Sequence, residues 1–286
     1  MNKLEWQIGD RTILLGEKSL LMAVVNVTPD SFSDGGDFYS VDKAVLSALE
    51  MIEHGADILD IGGESTRPGA PAVSEEEELK RVIPVIEGIR KKDSSILISI
   101  DTTKAKVAED ALKAGANIVN DVSGFVREPN IAKVVAKYNA GAVLMHMRGD
   151  SSNMQELLDY DDLIKSLKSF FTEQISYAES VGVARKNIVL DPGIGFSKDL
   201  AQNLKLINRL TTFAELQQPL LLGTSRKSFI GKILNEDDAK KRVWGTAASI
   251  AIGIINGAHI LRVHDVAEMK DVIRVSDAIR NESLVK

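Results

Sequence analysis

The chain has 286 residues, of which 44% are hydrophobic, and this length and composition allow one sizeable core. Its formal net charge of -6 provides no basic footprint for a nucleic-acid backbone or an anionic membrane surface. The sequence has no cysteine, which excludes disulfides and thiolate chemistry, and no apolar run of bilayer length, so we expect a cytoplasmic protein without nucleic-acid or membrane partners.

Short apolar runs alternate along the chain with segments of helical spacing. The runs are residues 20–27, 56–63, 96–101, 117–122, 141–147, 187–193, 219–224 and 259–265. Strands that alternate with helices form βα units, and eight such units predict an α/β fold, the closed (β/α)₈ TIM barrel. No low-complexity linker divides the chain. We therefore predict a single domain over 1–286, with the barrel at about 20–280 and a short N-terminal extension at 1–19.

The segment 74–91 has the pattern of a helix with a defined start. Ser74 is a suitable N-cap, and Glu77 three residues later predicts a capping box. The acidic run from Glu75 to Glu78 could be interpreted as a metal-binding cluster. Because acidic residues in a first helical turn complement the helix dipole, we interpret the run as a solvated face.

Polar or charged side chains recur near the C-terminal ends of the apolar runs. They are Asn26, Asp101, Asn120, His146, Asp191, Arg262 and His264. Any one of them could cap the next helix or begin a turn. In a (β/α)₈ barrel, however, these strand ends meet at one mouth, where the active site lies. The recurrence over many strands therefore predicts a site at that mouth.

The first strand leads into a turn-rich loop within residues 22–36. Phe32 lies between two serines of this loop, and we expect it to cover a ligand, although local packing is an alternative. Asn26 offers an amide oxygen, which suits Mg²⁺ already bound by phosphate oxygens. In the loop 62–70, Arg67 is a candidate anion contact, and pairing with Glu64 or with water is the alternative.

Two glycine-rich turns, 190–196 and 221–231, follow later strands. Neither matches a P-loop or a dinucleotide fingerprint. Asp191 in the first turn can accept two parallel hydrogen bonds from an amidine-like N–H pair. Lys227 in the second turn lies beside Asp191 if the sixth and seventh barrel strands adjoin.

Arg262 and His264 lie two residues apart on the last strand, so both side chains point to the same face. Binding a diphosphate explains an inward Arg–His pair well, because apolar packing does not. An ion pair with Asp265 is the alternative, and the opposite direction of that residue weakens it.

Seven motifs together resemble those of the dihydropteroate synthase family. They are NVTPDSFSDGG (26–36), GGESTRPGA (62–70), SIDT (99–102), NDVSG (120–124), LDPGIGF (190–196), TSRKSFIG (224–231) and RVHDV (262–266). The motifs cover nearly the whole predicted barrel in the family's order, and the first, second and seventh are the most specific.

The resemblance implies roles for individual residues. The pterin diphosphate is expected to contact Thr66, Asp101, Asn120, Asp191, Lys227, Arg262 and His264, with Val122, Met145 and Met147 as candidate apolar walls. p-Aminobenzoate is expected near Phe32, Pro68, Phe196, Lys227 and Ser228. The catalytic set is expected to be Asp34, Arg67, Asp101, Asp191 and Lys227. Asn26 is expected to bind Mg²⁺, and the family usually forms homodimers.

The resemblance also implies a reaction. A transferase of folate biosynthesis, the target of sulfonamides, would join p-aminobenzoate to (7,8-dihydropterin-6-yl)methyl diphosphate and release diphosphate. An electron-rich dihydropterin can support positive charge on its methylene, and buried carboxylates would stabilise that cation. The aromatic amine would then attack without a nucleophile from the protein, in agreement with the missing cysteine.

Two other functions remain open from the sequence. A methyltetrahydrofolate–corrinoid methyltransferase-like barrel has similar pterin-binding Asp and Asn positions, but it needs neither the serine-rich first loop nor the Arg–His pair. A catalytically silent paralogue that binds pterin would keep all the motifs. Only an activity assay separates the second alternative from the enzyme.

Overall fold

The computed structural model describes residues 3–27, 37–67 and 69–283, with the side chains of residues 37–40 left aside. The strands in these ranges are β1 (Leu4–Ile8), β2 (Arg11–Leu15), β3 (Leu20–Asn26), β4 (Ile58–Gly62), β5 (Leu97–Asp101), β6 (Ile118–Asp121), β7 (Gly141–Met145), β8 (Ile188–Asp191), β9 (Leu221–Leu222) and β10 (Ile260–Val263). Strands β3 to β10 form a parallel sheet in the order β8-β7-β6-β5-β4-β3-β10-β9.

A contact between the two outer strands of this order closes the sheet into a barrel. Leu190 forms a parallel bridge with Leu220, and the Leu190 N–H donates to the Pro219 carbonyl at 2.9 Å. Strands β8 and β9 therefore adjoin, as the predicted proximity of Asp191 and Lys227 requires. The predicted (β/α)₈ barrel is confirmed.

Helices cover the outside of the barrel. Their bounds are α1 (Asp37–Glu53), α2 (Glu75–Lys92), α3 (Ala105–Ala114), α4 (Asn130–Tyr138), α5 (Leu163–Ser180), α6 (Leu200–Asn208), α7 (Ser228–Leu234), α8 (Val243–Ile255) and α9 (Val266–Asn281). Each barrel strand is followed by one of them, except β9, which is followed by both α7 and α8. Within the described ranges, no helix is long and apolar enough to cross a membrane.

The lower half of the barrel interior is apolar. Every barrel strand contributes one inward residue to it, namely Met22, Ile58, Leu97, Ile118, Val143, Val189, Leu221 and Ile260. The antiparallel hairpin of β1 and β2 packs against this layer through Trp6, Ile8 and Leu15. The Trp6 indole N–H also donates to the Asn187 carbonyl at 2.9 Å. The N-terminal extension therefore covers the bottom of the barrel and leaves the mouth free.

The start of α2 corrects one interpretation from the sequence. Ser74 caps the helix as predicted, because its Oγ accepts from the Glu77 N–H at 3.2 Å. The Glu77 carboxylate, however, accepts from Arg81 Nε at 2.9 Å, so the cap is made by the serine alone. The solvated-face interpretation is wrong for Glu78, which is fully buried and pairs with Lys104. The packing of α2 against the barrel turns the Glu78 side chain towards the loops that follow β4 and β5.

Candidate active site

The barrel interior changes from apolar to polar towards the mouth. Inward side chains recur every second residue along a strand. Two residues above the apolar layer, the inward positions are Asp60, Ser99, Asn120, Met145, Asp191 and Arg262. Four residues above it, they include Asn26, Asp101 and His264. Most of these residues are buried. Six of the seven predicted polar strand ends therefore come together at one mouth. The prediction is wrong for His146, which follows the inward Met145 and packs on the outer side against Phe170 and Tyr160.

Arg262 lies between two carboxylates on the floor of this mouth. Its Nε donates to Asp60 Oδ2 at 2.6 Å, and its Nη2 donates to Asp101 Oδ2 at 2.8 Å. Asn120 Nδ2 donates to the same Asp60 oxygen at 3.1 Å. Burial raises the pKa of Asp101 to about 8, although the charge of Arg262 opposes the shift. The floor is thus one connected set of charged and amide groups.

The alternative pairing of Arg262 with Asp265 does not occur. Asp265 instead pairs with Arg226, whose Nε donates to Asp265 Oδ2 at 3.0 Å. Residue 265 points away from the barrel interior, as the alternation along β10 predicts. The ion pair links the loops after β9 and β10.

Asp191 and Lys227 lie at the ends of adjoining strands, Asp191 on β8 and Lys227 in the loop after β9. The Gly193 N–H donates to Asp191 Oδ1 at 2.7 Å. Burial raises the pKa of Asp191, while the nearby charge of Lys227 lowers it. Lys227 Nζ donates to the Ile194 carbonyl and lies 4.5 Å from the ring centroid of Phe196. Burial lowers the pKa of Lys227 to about 8.

The loop that carries Phe196 needs glycine at position 193. Gly193 has a φ of +70°, and a Cβ there would lie 2.1 Å from the His146 carbonyl oxygen. Only glycine combines this left-handed conformation with so close an approach to the end of β7. The close approach places Asp191 and Phe196 beside the β7 strand end.

His264 is a neutral group in this site. Its ring Nδ1 lies 3.1 Å from Ser225 Oγ, and burial with the charge of Arg262 lowers its pKa to about 3. The charge of Arg67 makes a smaller contribution to the same lowering of the His264 pKa. His264 therefore offers an anion a hydrogen bond rather than a full charge.

The loop after β4 is attached at its base and open at Arg67. Arg81 Nη1 donates to the Gly63 carbonyl at 2.8 Å, and Glu64 pairs with Lys104. Glu64 is therefore not the partner of Arg67, as the alternative interpretation required. Arg67 is exposed, and its guanidinium forms no ion pair or hydrogen bond with a described residue. Thr66 beside it is partly buried.

The other predicted residues divide into two groups. Val122 and Met145 are buried, Met147 is partly buried on the same side of the chain as Met145, and Ser228 is exposed at the start of α7. Both methionines therefore remain candidates for the apolar wall. Phe32, Asp34 and Pro68 lie outside the described residues, so their predicted roles stay predictions.

Two buried charges of the site were missed from the sequence. Asp60 is one of two charged residues in the apolar run 56–63, the other being Asp57, and its inward position on β4 was the available signal. Lys198 donates to the Phe196 carbonyl at 2.8 Å and to the His146 carbonyl at 3.2 Å, and its Nζ lies 3.1 Å from His146 Nδ1. No spacing rule points to Lys198, because its partners belong to different loops.

Comparisons with known proteins agree with this geometry. The family model for pterin binding enzymes matches residues 22–264. A dihydropteroate synthase from Synechocystis sp. is 50% identical over 272 residues, which cover 95% of this chain and 94% of the relative. Another from Bacillus subtilis is 49% identical over 266 residues, with 93% and 90% covered. This chain belongs to the dihydropteroate synthase family.

Solved dihydropteroate synthases also share the fold. The Yersinia pestis enzyme in complex with a sulfonamide drug has a TM-score of 0.89 and 40% identity, and the match covers 97% of this chain and 100% of that one. The Xanthomonas albilineans enzyme in complex with 7,8-dihydropteroate has a TM-score of 0.86 and 39% identity, with 96% and 98% covered. The chain is accordingly a transferase of folate biosynthesis, as the sequence motifs predicted.

Proposed function

We propose that this chain joins p-aminobenzoate to (7,8-dihydropterin-6-yl)methyl diphosphate, giving 7,8-dihydropteroate and diphosphate. The observation that carries the proposal is the convergence of Asp101, Asn120, Asp191 and Lys227 on one buried floor. Structures of the Xanthomonas albilineans relative with 4-aminobenzoic acid and with 7,8-dihydropteroate support the choice of substrates.

The floor suits a pterin ring. Asp191 keeps Oδ2 free of donors from the described residues, while Oδ1 accepts from Gly193. A carboxylate there can accept hydrogen bonds from the ring's amino group and adjacent ring N–H. Asn120 and Lys227 offer further donors, and Val122 and Met145 are apolar neighbours for the ring faces. The ring would thus lie deep in the mouth with its methyl diphosphate towards solvent.

The reaction breaks the bond between the exocyclic methylene carbon and the diphosphate oxygen. The electron pair leaves with diphosphate, and the dihydropterin ring shares the positive charge that develops on the methylene. Asp101 and Asp191 stabilise this charge electrostatically. The amine nitrogen of p-aminobenzoate then forms the new C–N bond and releases one proton. No covalent intermediate with the protein is required.

Residues at the mouth receive the diphosphate. Arg67 is exposed and unpaired with any described residue, and the neutral His264 can donate one hydrogen bond. Arg262 forms ion pairs with two carboxylates of the floor. Its positive charge would therefore act on the pterin ring and the diphosphate from this fixed position. Phe196, Lys227 and Ser228 lie where the amine would approach.

Asn26 fits a magnesium ion that is bound mainly by the substrate. Asn26 is partly exposed at the end of β3, and the described residues contain no group of three or more histidine, cysteine or acidic side chains that could hold a metal ion. Mg²⁺ commonly takes one protein oxygen together with phosphate oxygens and water. When bound, the ion would neutralise part of the charge that develops on the departing diphosphate.

The decisive experiment measures diphosphate release from the pterin diphosphate with and without p-aminobenzoate. We expect release that depends on p-aminobenzoate and is inhibited by a sulfonamide, which resembles p-aminobenzoate. Binding of the pterin without release would indicate the silent paralogue. Methyl transfer from methyltetrahydrofolate would indicate the corrinoid-dependent alternative.

The pH dependence of the reaction should follow Lys227. As pH rises through about 8, Lys227 loses the positive charge that it offers to the anionic substrate. Asp101 ionises over the same range, and its negative charge favours the pterin cation, so an alkaline decrease comes from Lys227. We therefore expect kcat/KM for the pterin diphosphate to fall above about pH 8. In Lys227→Arg the guanidinium stays charged, and the alkaline decrease should become shallower. An identical alkaline profile in wild type and an active Lys227→Arg would contradict this assignment.

We also propose that the chain forms a homodimer through α8 and α9, which pack side by side. Large apolar side chains are exposed along these helices, namely Trp244, Ile252, Ile255, Val275 and Ile279. Their spacing places Ile252 with Ile255 on one face of α8, and Val275 with Ile279 on one face of α9. An apolar surface of this kind is typical of a protein interface.

Charge introduced into this surface should separate the subunits. We expect the double variant Ile252→Lys with Ile279→Lys to sediment as a monomer, because two charges per protomer would be buried at the interface. Leu46→Lys on α1, where Leu46 is 66% exposed like Ile279, is the matched control. A monomeric wild type, or a dimeric double variant, would contradict the proposal.

The cytoplasmic location stays a prediction.

A further inference from the structure

Asp60 lies at the centre of the polar floor, although the reaction above gives it no part. It is fully buried on β4, two residues after Ile58 of the apolar layer. Its Oδ2 accepts from Arg262 Nε at 2.6 Å and from Asn120 Nδ2 at 3.1 Å. One carboxylate oxygen therefore contacts two residues that the proposed function places against the pterin substrate.

These two bonds determine how the partners face the ligand. Because Asn120 donates through its amide nitrogen to Asp60, its amide oxygen must point elsewhere. Arg262 uses Nε on Asp60 and Nη2 on Asp101, so the two carboxylates together set the plane of its guanidinium. Asp101 engages Arg262 through Oδ2, and no described donor occupies its Oδ1.

Packing of the core does not explain a carboxylate at this position. Asp60 Oδ1 is buried without a hydrogen-bond partner among the described residues, and so is Oγ of Ser99, its neighbour across the β4–β5 ladder. A buried polar atom without a partner costs stability, and apolar side chains often replace buried ion pairs without loss. The charge of Asp60 therefore serves the site rather than the core.

We propose that Asp60 is a positioning residue for pterin binding, which acts through Asn120 and Arg262; the inference rests on the proposed function. Asp60 orients the Asn120 amide and shares Arg262 with Asp101. Without Asp60, the guanidinium is left with Asp101 as its bonded carboxylate and competes there with the ring.

The test compares Asp60→Asn and Asp60→Ser with the wild type by calorimetric titration of 6-hydroxymethylpterin. In Asp60→Asn the new amide oxygen can take the place of Oδ2 and accept from both Arg262 and Asn120, so this variant removes the charge, whereas the shorter side chain of Asp60→Ser loses both hydrogen bonds. We expect the pterin Kd to rise about tenfold in Asp60→Ser, the effect of one or two lost charge-assisted hydrogen bonds, and by less in Asp60→Asn. The KM for p-aminobenzoate at saturating pterin diphosphate should stay within about twofold.

Asp121→Asn is the matched control. Asp121 is also a fully buried carboxylate near the mouth, but among the described residues its donors are Ser123 and Phe125 of the loop after β6. This control should lower the melting temperature and leave the pterin Kd unchanged. A purely structural role for Asp60 would make the Asp60 variants behave in the same way.

A double-mutant cycle tests whether Asp60 acts through Asn120. In an Asn120→Ala background, Asp60→Ser should raise the pterin Kd by a factor less than half of the factor by which it raises the Kd of the wild type. Strict additivity, a Kd within about twofold of wild type in a folded Asp60→Ser, or loss of cooperative unfolding in both Asp60 variants would each overturn the proposal. A wild type that binds the pterin but releases no diphosphate contradicts the reaction alone, whereas a wild type that does not bind it contradicts both.

Discussion

Asp191→Asn is expected to weaken pterin binding by roughly 100-fold, equivalent to about 3 kcal/mol. The Gly193 N–H, which now donates to Asp191 Oδ1 at 2.7 Å, selects the oxygen of the new amide. The amide nitrogen must then occupy the place of Oδ2, where it presents donors to the donors of the pterin ring. The loop 190–196 should therefore keep its conformation while the ring loses its partner.

Calorimetric titration of 6-hydroxymethylpterin and of p-aminobenzoate, the latter with diphosphate and pterin present, measures this effect. Asp121→Asn removes a buried carboxylate that bonds to Ser123 and Phe125 of its own loop and serves as the control here as well. Unchanged pterin affinity in a folded Asp191→Asn enzyme would remove Asp191 from the site. An equal loss of affinity for both ligands would indicate a general disturbance of the mouth.

Arg262→Met is expected to lower the free energy of unfolding by about 3 kcal/mol, in addition to abolishing activity. The substitution keeps an unbranched apolar stem but leaves Asp60 and Asp101 without their cation. Asp101, whose pKa is about 8 beside Arg262, then ionises at still higher pH. An acid whose pKa is raised in the folded state loses stability as pH rises, so the deficit should be larger at pH 9 than at pH 6.

Urea unfolding of Arg262→Met at both pH values tests the prediction. His264→Ala is the companion variant. Within the described ranges His264 bonds to Ser225, so the variant should change diphosphate inhibition more than stability. Arg262→Lys should recover part of the lost stability, because one ammonium can still pair with one carboxylate. Equal stability of Arg262→Met and wild type would show that the floor carboxylates do not need Arg262.

Much of the architecture follows from local periodicity. The alternation of apolar runs with helical segments predicted the barrel, and the two-residue period of β10 placed Arg262 and His264 on one inward side. The structure confirms both, since Ile260 lies below them in the apolar layer. A strand's own residues determine its faces, so a sequence is sufficient for this step.

Local periodicity could not predict which side chains pair with each other across the barrel. Arg262 was predicted as a diphosphate contact, but its bonds run to Asp60 and Asp101, which are 202 and 161 residues away in the chain. Such pairs depend on the closure and stagger of eight strands. Small changes in stagger bring different inward residues to the same height.

The sequence by itself thus determined the fold, the mouth and the identity of most groups there. Only the tertiary structure decided which charges are buried and which of them meet. Glu78 and Asp60 show the difference, because burial of a carboxylate depends on a cation supplied by a distant segment, Lys104 for one and Arg262 for the other. The physical reason is that desolvation and Coulomb energy depend on distances in space, which local sequence patterns do not contain.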